Sequence, residues 1–169
     1  PDGNWVFVAQ TYYSGSEPKW GVGDNVVNVY QRTGTNFAHT GQKLSVPNIQ
    51  GVGGESSWGL EMTQDPISGR LYISDQVATI DGKSKVGMIR AFLYNGSEWV
   101  PEFDTVPESR NALSEHGSNM DVYGNLLGHS SPDYNDGSNA QQGKIFLSQL
   151  ITASPTVSPT GSPTGSPSK

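Results

Sequence analysis

The stretch GMIRAFLYNGSEWVPEF, residues 87–103, decides how the rest of the chain is read. Met88, Arg90 and Phe92 share one parity, and Ile89, Ala91 and Leu93 share the other. Period-2 patterning with both faces partly apolar predicts a strand in a sheet packed between two neighbours. A second short strand, SEWVPEF, follows the dipeptide Asn95-Gly96. Asn-Gly supplies the φ > 0 positions of a tight type I′ turn, so the stretch reads as a hairpin.

Upstream, SSWGLEMT and RLYISDQ read as two more strands, joined by a turn at Gly69. A four-strand unit A–B–C–D therefore runs from about 55 to 103. Parts of it recur. PDGNWVFVAQ (1–10), PISGRLYISD (66–75) and DVYGNLLGHS (121–130) each place a glycine (Gly3, Gly69, Gly124) before a short apolar strand. Each strand runs into a polar, Gly-rich loop, and a further strand follows: NVVNVYQRTG, MIRAFLYNG and KIFLSQL. The A segment ESSWGLEMTQD (55–65) matches SEHGSNMDVYG (114–124), with Gly59 over Gly117 and Met62 over Met120. The first unit has its own C–D turn, RTGTNF (32–37), before FAHTGQKL.

The units thus read B–C–D, A–B–C–D and A–B–C. A blade of this kind cannot bury both its faces alone, so neighbours must stack. The expected fold is all-β: a partial β-propeller of about two and a half four-stranded antiparallel blades. The repeat region spans 1–153, in units of about 1–47, 48–107 and 108–150. An irregular antiparallel sandwich whose strands merely resemble one another is the plainer alternative. Because the chain opens with PDGNWVFVAQ, already a turn and a strand, it is expected to be a fragment of a longer propeller.

Composition agrees with short strands and turns: hydrophobic residues are 33% of the 169, with 21 Gly and 11 Pro. The net charge of −6 and the lack of any Lys/Arg cluster argue against a nucleic-acid partner. There is no cysteine, hence no disulfide framework and no thiolate metal site. No apolar run approaches the ~20 residues that span a bilayer.

The repeated motifs resemble those of secreted algal proteins of the FG-GAP, integrin-alpha-like β-propeller type. The residues that carry the resemblance are Trp58-Gly59, Gly69, LYISD, the loop at 76–87, IRAF (89–92) and NGSEW (95–99). VNVY (27–30) and KIFL (144–147) are the further strand C copies. The resemblance covers about residues 1–150. It implies a propeller that serves binding or adhesion, without catalysis. Some blades of that family carry an Asp-rich calcium loop between strands A and B. Here only QDPISG and MDVYG stand there, so that calcium site does not carry over.

Few residues suggest chemistry. Asp133, Asn135 and Asp136 in SPDYNDGSN place hard oxygen ligands close together and form a candidate calcium site. Gly137 stands where a further acidic ligand belongs, and no distal bidentate Glu follows. The same residues read as a turn whose Asp and Asn side chains cap their own backbone. Asp75 and Asp81 form a weaker version in the middle unit. His39, His116 and His129 lack helical metal spacing, and none neighbours a second ligand in sequence. His116 falls opposite Trp58 and is expected to fill the same packing position. Tyr12, Tyr13 and Trp20 lie in a B–C loop, where they would stack on a sugar or protein partner or fold over the sheet. No GxSxG, P-loop or HExxH is present, GVGGES (51–56) opens no helix, and no cofactor is expected.

Asn95-Gly96-Ser97 is an N-glycosylation acceptor pattern at an expected hairpin tip. From residue 154 the chain reads SPTV SPTG SPTG SPSK, with no apolar set to bury. It reads as a disordered or polyproline-II-like stalk or linker, 154–169. Its O-glycosylation candidates are Ser154, Thr156, Ser158, Thr160, Ser162, Thr164, Ser166 and Ser168. The expected function is a non-catalytic extracellular or cell-surface module for adhesion, matrix or extracellular assembly. Its partners would be proteins or glycans, copies of itself or the rest of a longer chain. The alternatives are a fragment of a propeller enzyme acting on glycans, which needs acidic side chains converging at an axis, and an accessory subunit of a large organellar complex.

Overall fold

A computed structural model of the chain describes residues 3–10, 26–45, 57–107, 115–134 and 143–149. Ten strands and no helix occur among them. They are β1 (Trp5–Gln10), β2 (Val26–Thr33), β3 (Asn36–Ser45), β4 (Met62–Gln64), β5 (Leu71–Asp75), β6 (Met88–Tyr94), β7 (Trp99–Thr105), β8 (Met120–Tyr123), β9 (Leu126–Ser131) and β10 (Lys144–Gln149). These form three antiparallel sheets in chain order, β1-β2-β3, β4-β5-β6-β7 and β8-β9-β10. The three-four-three grouping is that of the strand units read from the sequence, and none of the sheets closes on itself.

The sheets stack face to face, and alternation along each strand decides what each face meets. On the second sheet Leu71, Ile73 and Phe92 point toward the first, where Val27, Val29 and Leu44 complete a buried cluster with Trp58 and Trp99. The opposite face, Tyr72, Ile89 and Ala91, meets Val122 and Leu127 of the third sheet. The apolar patterning of both faces of GMIRAFLY is thus explained: the strand lies in the middle layer. Each fully buried aliphatic side chain contributes about 1.5–3 kcal/mol, so these two seams carry most of the stability.

The same atoms make both seams. Gly59 N–H donates to the Ser74 carbonyl and Ser74 N–H to Glu61; Gly117 N–H donates to the Ser130 carbonyl and Ser130 N–H to Asn119. Gly59 has φ +81° and Gly117 φ +85°. A Cβ on Gly59 would stand 2.8 Å from Ala9 Cβ and 2.7 Å from Val27 of the first sheet. A Cβ on Gly117 would stand 3.0 Å from Ser74 Cβ and 2.9 Å from Ile89 of the second. Ala9 pairs with Val27, and Ser74 with Ile89, so each glycine lies over the equivalent strand pair of the sheet before it. Side-chain amides add clamps. Gln42 of β3 donates to the Trp99 carbonyl at 2.6 Å and accepts from Trp99 N–H at 2.9 Å. Asp65, buried in the β4–β5 turn, accepts from Ile67, Ser68 and the Gly124 N–H of the next sheet's turn.

Several local expectations are corrected. The β6–β7 connection is not a two-residue type I′ turn. Tyr94 pairs with Trp99, leaving a four-residue loop, and only Gly96 in it has positive φ, at +102°. The Asn95 carboxamide explains this: its Oδ1 accepts from Ser97 N–H, Ser97 Oγ–H and Glu98 N–H, an Asx turn that replaces the backbone turn. The tight turn with two positive φ values is Asp81-Gly82 instead, at +50° and +75°, bridged by Ile80 and Lys83. It lies in the supposedly polar loop 76–87, whose Ala78, Ile80 and Val86 form a small core with Met88. Strand A is also shorter than SSWGLEMT: Trp58 and Gly59 form a turn, because Gly59 must press on the preceding sheet, and β4 starts at Met62.

Candidate functional site

The third sheet places a histidine where the second has an isoleucine. His129 in β9 pairs across with Phe146 of β10, as Ile73 pairs with Arg90, and Met120 and Met62 sit at the matching place on the A strands. Phe146 stacks on His129 with ring centroids 5.1 Å apart and planes 12° apart. His116 meets His129 edge-on at 4.2 Å and Phe146 at 5.2 Å. Its backbone is held by a parallel bridge to Gly87, where a Cβ would run into the His116 main chain. The two imidazoles, which have no neighbouring ligand in sequence, touch in space. Their separation of 13 residues follows from the A-to-B geometry, and only the equivalence of Gly117 with Gly59 could have exposed it.

His116 does occupy the place of Trp58, as expected, but with a different result. The Trp58 indole fills its seam and donates from Nε1 to the Leu44 carbonyl at 2.9 Å. Beside the smaller imidazole lies a cavity of about 430 Å³, lined by Thr105 at the end of β7 and by Val106 and Pro107 after it. Neither His116 nitrogen, nor His129 Nδ1, has a hydrogen-bond partner among the described residues. Burial, and for His116 the facing His129, push the two imidazoles down to about 3 and about 4. The Lys144 ammonium closes one side, 4.7 Å from the Tyr134 ring centroid and 4.8 Å from that of Phe146.

This arrangement offers a small polar ligand two neutral imidazoles and a cation. It is poorly suited to base catalysis. Ser148 Oγ lies 3.4 Å from His129 Nε2, a long contact, and among the described residues no carboxylate orients Nδ1. An imidazole titrating near 4 is a weak base at neutral pH. Among the described residues no group of three His, Cys, Asp or Glu side chains could hold a metal ion.

The other expected sites are dispersed. Asp133 is partly buried beside a turn in which Tyr134 N–H donates to Ser131; Asn135 and Asp136 lie outside the described residues. Asp75 is buried and accepts from Ser57 N–H, Ser57 Oγ–H and Val77 N–H. Asp81 is a turn residue and His39 packs on Tyr30, its cross-strand partner, at 5.1 Å. Tyr12, Tyr13, Trp20 and the 154–169 serines and threonines lie outside the described residues. Asn95 is exposed at the β6–β7 corner, and its Nδ2, the atom a glycan would be attached to, takes part in none of the Oδ1 bonds. Among the described residues no helix is long and apolar enough to cross a membrane. No family model, no curated protein and no solved structure matches the chain.

Proposed function

We propose that the chain is a non-catalytic extracellular or cell-surface repeat module, part of a β-propeller-type stack, that serves adhesion, matrix building or extracellular assembly on the Ser-Pro-Thr stalk. The observation that carries this reading is the recurrence of one seam: the second sheet packs one apolar face on the first sheet and the other on the third. Such an architecture spends its residues on stacking. The buried carboxylates among the described residues, Asp65 and Asp75, are both turned into backbone N–H groups. Two arginines are likewise engaged with neighbouring strands, Arg70 with Glu102 at 2.6 Å and Arg90 with Asp104 at 2.6 Å. The glycan-acting alternative needs free carboxylates converging on an axis, and these four do not supply them. Exposed Asn95 gives the module a position for sugar at the β6–β7 corner.

Intact-mass analysis of native material, before and after deglycosylation, tests the reading. Sugar on Asn95 and on the 154–169 segment is the expected result. A native chain at its bare mass would overturn the glycosylated-stalk and extracellular parts together. A second reading is favoured by the His116–His129 cavity: a pocket for a small polar ligand at one seam. Imidazole proton shifts on titration with candidate sugars and carboxylates would reveal it.

A further inference from the structure

One point recurs in both seams, and its chemistry changes from the first to the second. In the first seam Leu44, Trp58, Ile73 and Phe92 belong to one buried cluster. Strand pairing fixes their counterparts in the second. Thr105 stands for Leu44, because they pair with the equivalent residues Ile89 and Val27. His129 stands for Ile73, and Ser148 for Phe92 through the pairs Leu127–Ser148 and Leu71–Phe92. His116 precedes Gly117 as Trp58 precedes Gly59. On the neighbouring pair, buried Met88 becomes Lys144 and its partner Asp75 becomes Ser131. Both seams build this point from the same strands and turns, so the difference lies in the side chains.

Apolar side chains thus give way to two imidazoles, two hydroxyls and an ammonium, all lining the cavity of about 430 Å³. That volume is within the range of small-molecule pockets. His116 is 1% and His129 3% exposed, and three of their four ring nitrogens lack a partner among the described residues. Buried polar groups are costly when unpaired, and a bound ligand would pair them. The charge on the wall says which kind. In a chain of net charge −6, the described lining residues include a lysine and no Asp or Glu. Lys144 is exposed, so a ligand reaches its ammonium from solvent, and its contacts are with the Tyr134 and Phe146 rings rather than with a carboxylate. We propose that this cavity binds a small organic acid, its carboxylate held by Lys144 and imidazole N–H groups and its body lying against Phe146. Each neutral imidazole has one N–H to donate, and a carboxylate accepts several hydrogen bonds. The proposal rests on the pocket reading above and names the ligand class for it. A free aromatic acid and an acidic sugar both carry the required group.

Calorimetry and imidazole NMR signals on the full 169-residue chain, near neutral pH, read the outcome. The probes are benzoate and glucuronate, with benzamide and glucose as their neutral counterparts. At least one acid should bind about tenfold or more tightly than its counterpart and shift the His116 and His129 signals. Which acid does so distinguishes a free acid from an acidic sugar. Lys144→Met installs the residue that the second sheet carries here, and the position is exposed, so the fold should persist; circular dichroism checks this. It should weaken acid binding by about tenfold or more, whereas Lys144→Arg should retain it. His129→Ile should weaken binding as well. The proposal is overturned if neither acid binds up to about 10 mM, if the neutral counterparts bind as tightly, or if Lys144→Met binds as wild type does. Binding of benzamide or glucose alone would sink the organic acid and leave the pocket standing; no response to any of the four probes would sink both.

Discussion

Acid should open the seam between the second and third sheets well before it disturbs the carboxylates. In the folded chain burial, with the facing imidazole added for His116, holds His116 at about 3 and His129 at about 4, against an ordinary 6.5. Above pH 6.5 both are neutral folded or unfolded, and the stability is whole. As pH falls below 6.5 the unfolded chain binds two protons that the fold refuses. Each costs about 1.4 kcal/mol per pH unit, so the pair costs about 2.7. From pH 6.5 to 4.5 the loss is roughly 5 kcal/mol, comparable with the ~5–15 kcal/mol that a domain has in total. Asp65 acts in a lower window. Burial raises its carboxyl, but the Ser68 hydroxyl and the Gly124, Ser68 and Ile67 N–H groups outweigh this and hold it below 3.8, so its contribution is lost only as pH falls below about 4. The assay is the urea midpoint, followed by tryptophan fluorescence, at pH 7.5, 6.5, 5.5 and 4.5. His129→Ile installs the residue that the second sheet carries at this place and should roughly halve the slope. A midpoint that does not move between pH 7.5 and 5.5, or an unchanged slope in His129→Ile, would refute the account.

Gly117→Ala should destabilise by about 2–4 kcal/mol, from left-handed strain and from the collision with Ile89 and Ser74. Gly96→Ala, at φ +102° in open space, should cost only the strain, about 1–2 kcal/mol; equal thermal shifts for the two would contradict the packing role of Gly117. Gln42→Leu strands both main-chain groups of Trp99 and should cost about 2–4 kcal/mol, with faster amide exchange at Trp99 than elsewhere in β7. Glu102→Gln removes a partly exposed ion pair with Arg70 and should cost no more than about 1 kcal/mol, vanishing in high salt.

The strand groups were legible because period-2 patterning is local: GMIRAFLY shows both its apolar faces without reference to anything else. The equivalence of Gly59 and Gly117 was also legible, since a glycine forced by a close approach leaves a mark at a fixed place. The turns were less so. Asn95-Gly96 and Asp81-Gly82 satisfy the same rule, yet a side-chain bond at Asn95 diverts one of them, and loop length depends on the strand ends it must join. Of the candidate site only the place of His116, opposite Trp58, was legible. His129 in β9 and His116, which precedes β8 and is bridged to Gly87, are brought together across the seam, and neither the distance nor the missing partners leaves a trace in the sequence around them.

Each seam draws on two consecutive sheets and no others. Gly59 answers to Ala9 and Val27, Gly117 to Ser74 and Ile89, and nothing in the third sheet tests the fit in the first. A stretch running from one of these glycines to the next therefore carries one leading and one trailing surface and forms a complete period. Duplicating or deleting it would leave every remaining junction with a proper counterpart, whereas a cut elsewhere would leave one mismatched. The length of such a chain is thus free to vary in whole periods, and the pressure on its sequence falls on junctions rather than on any one total number of sheets.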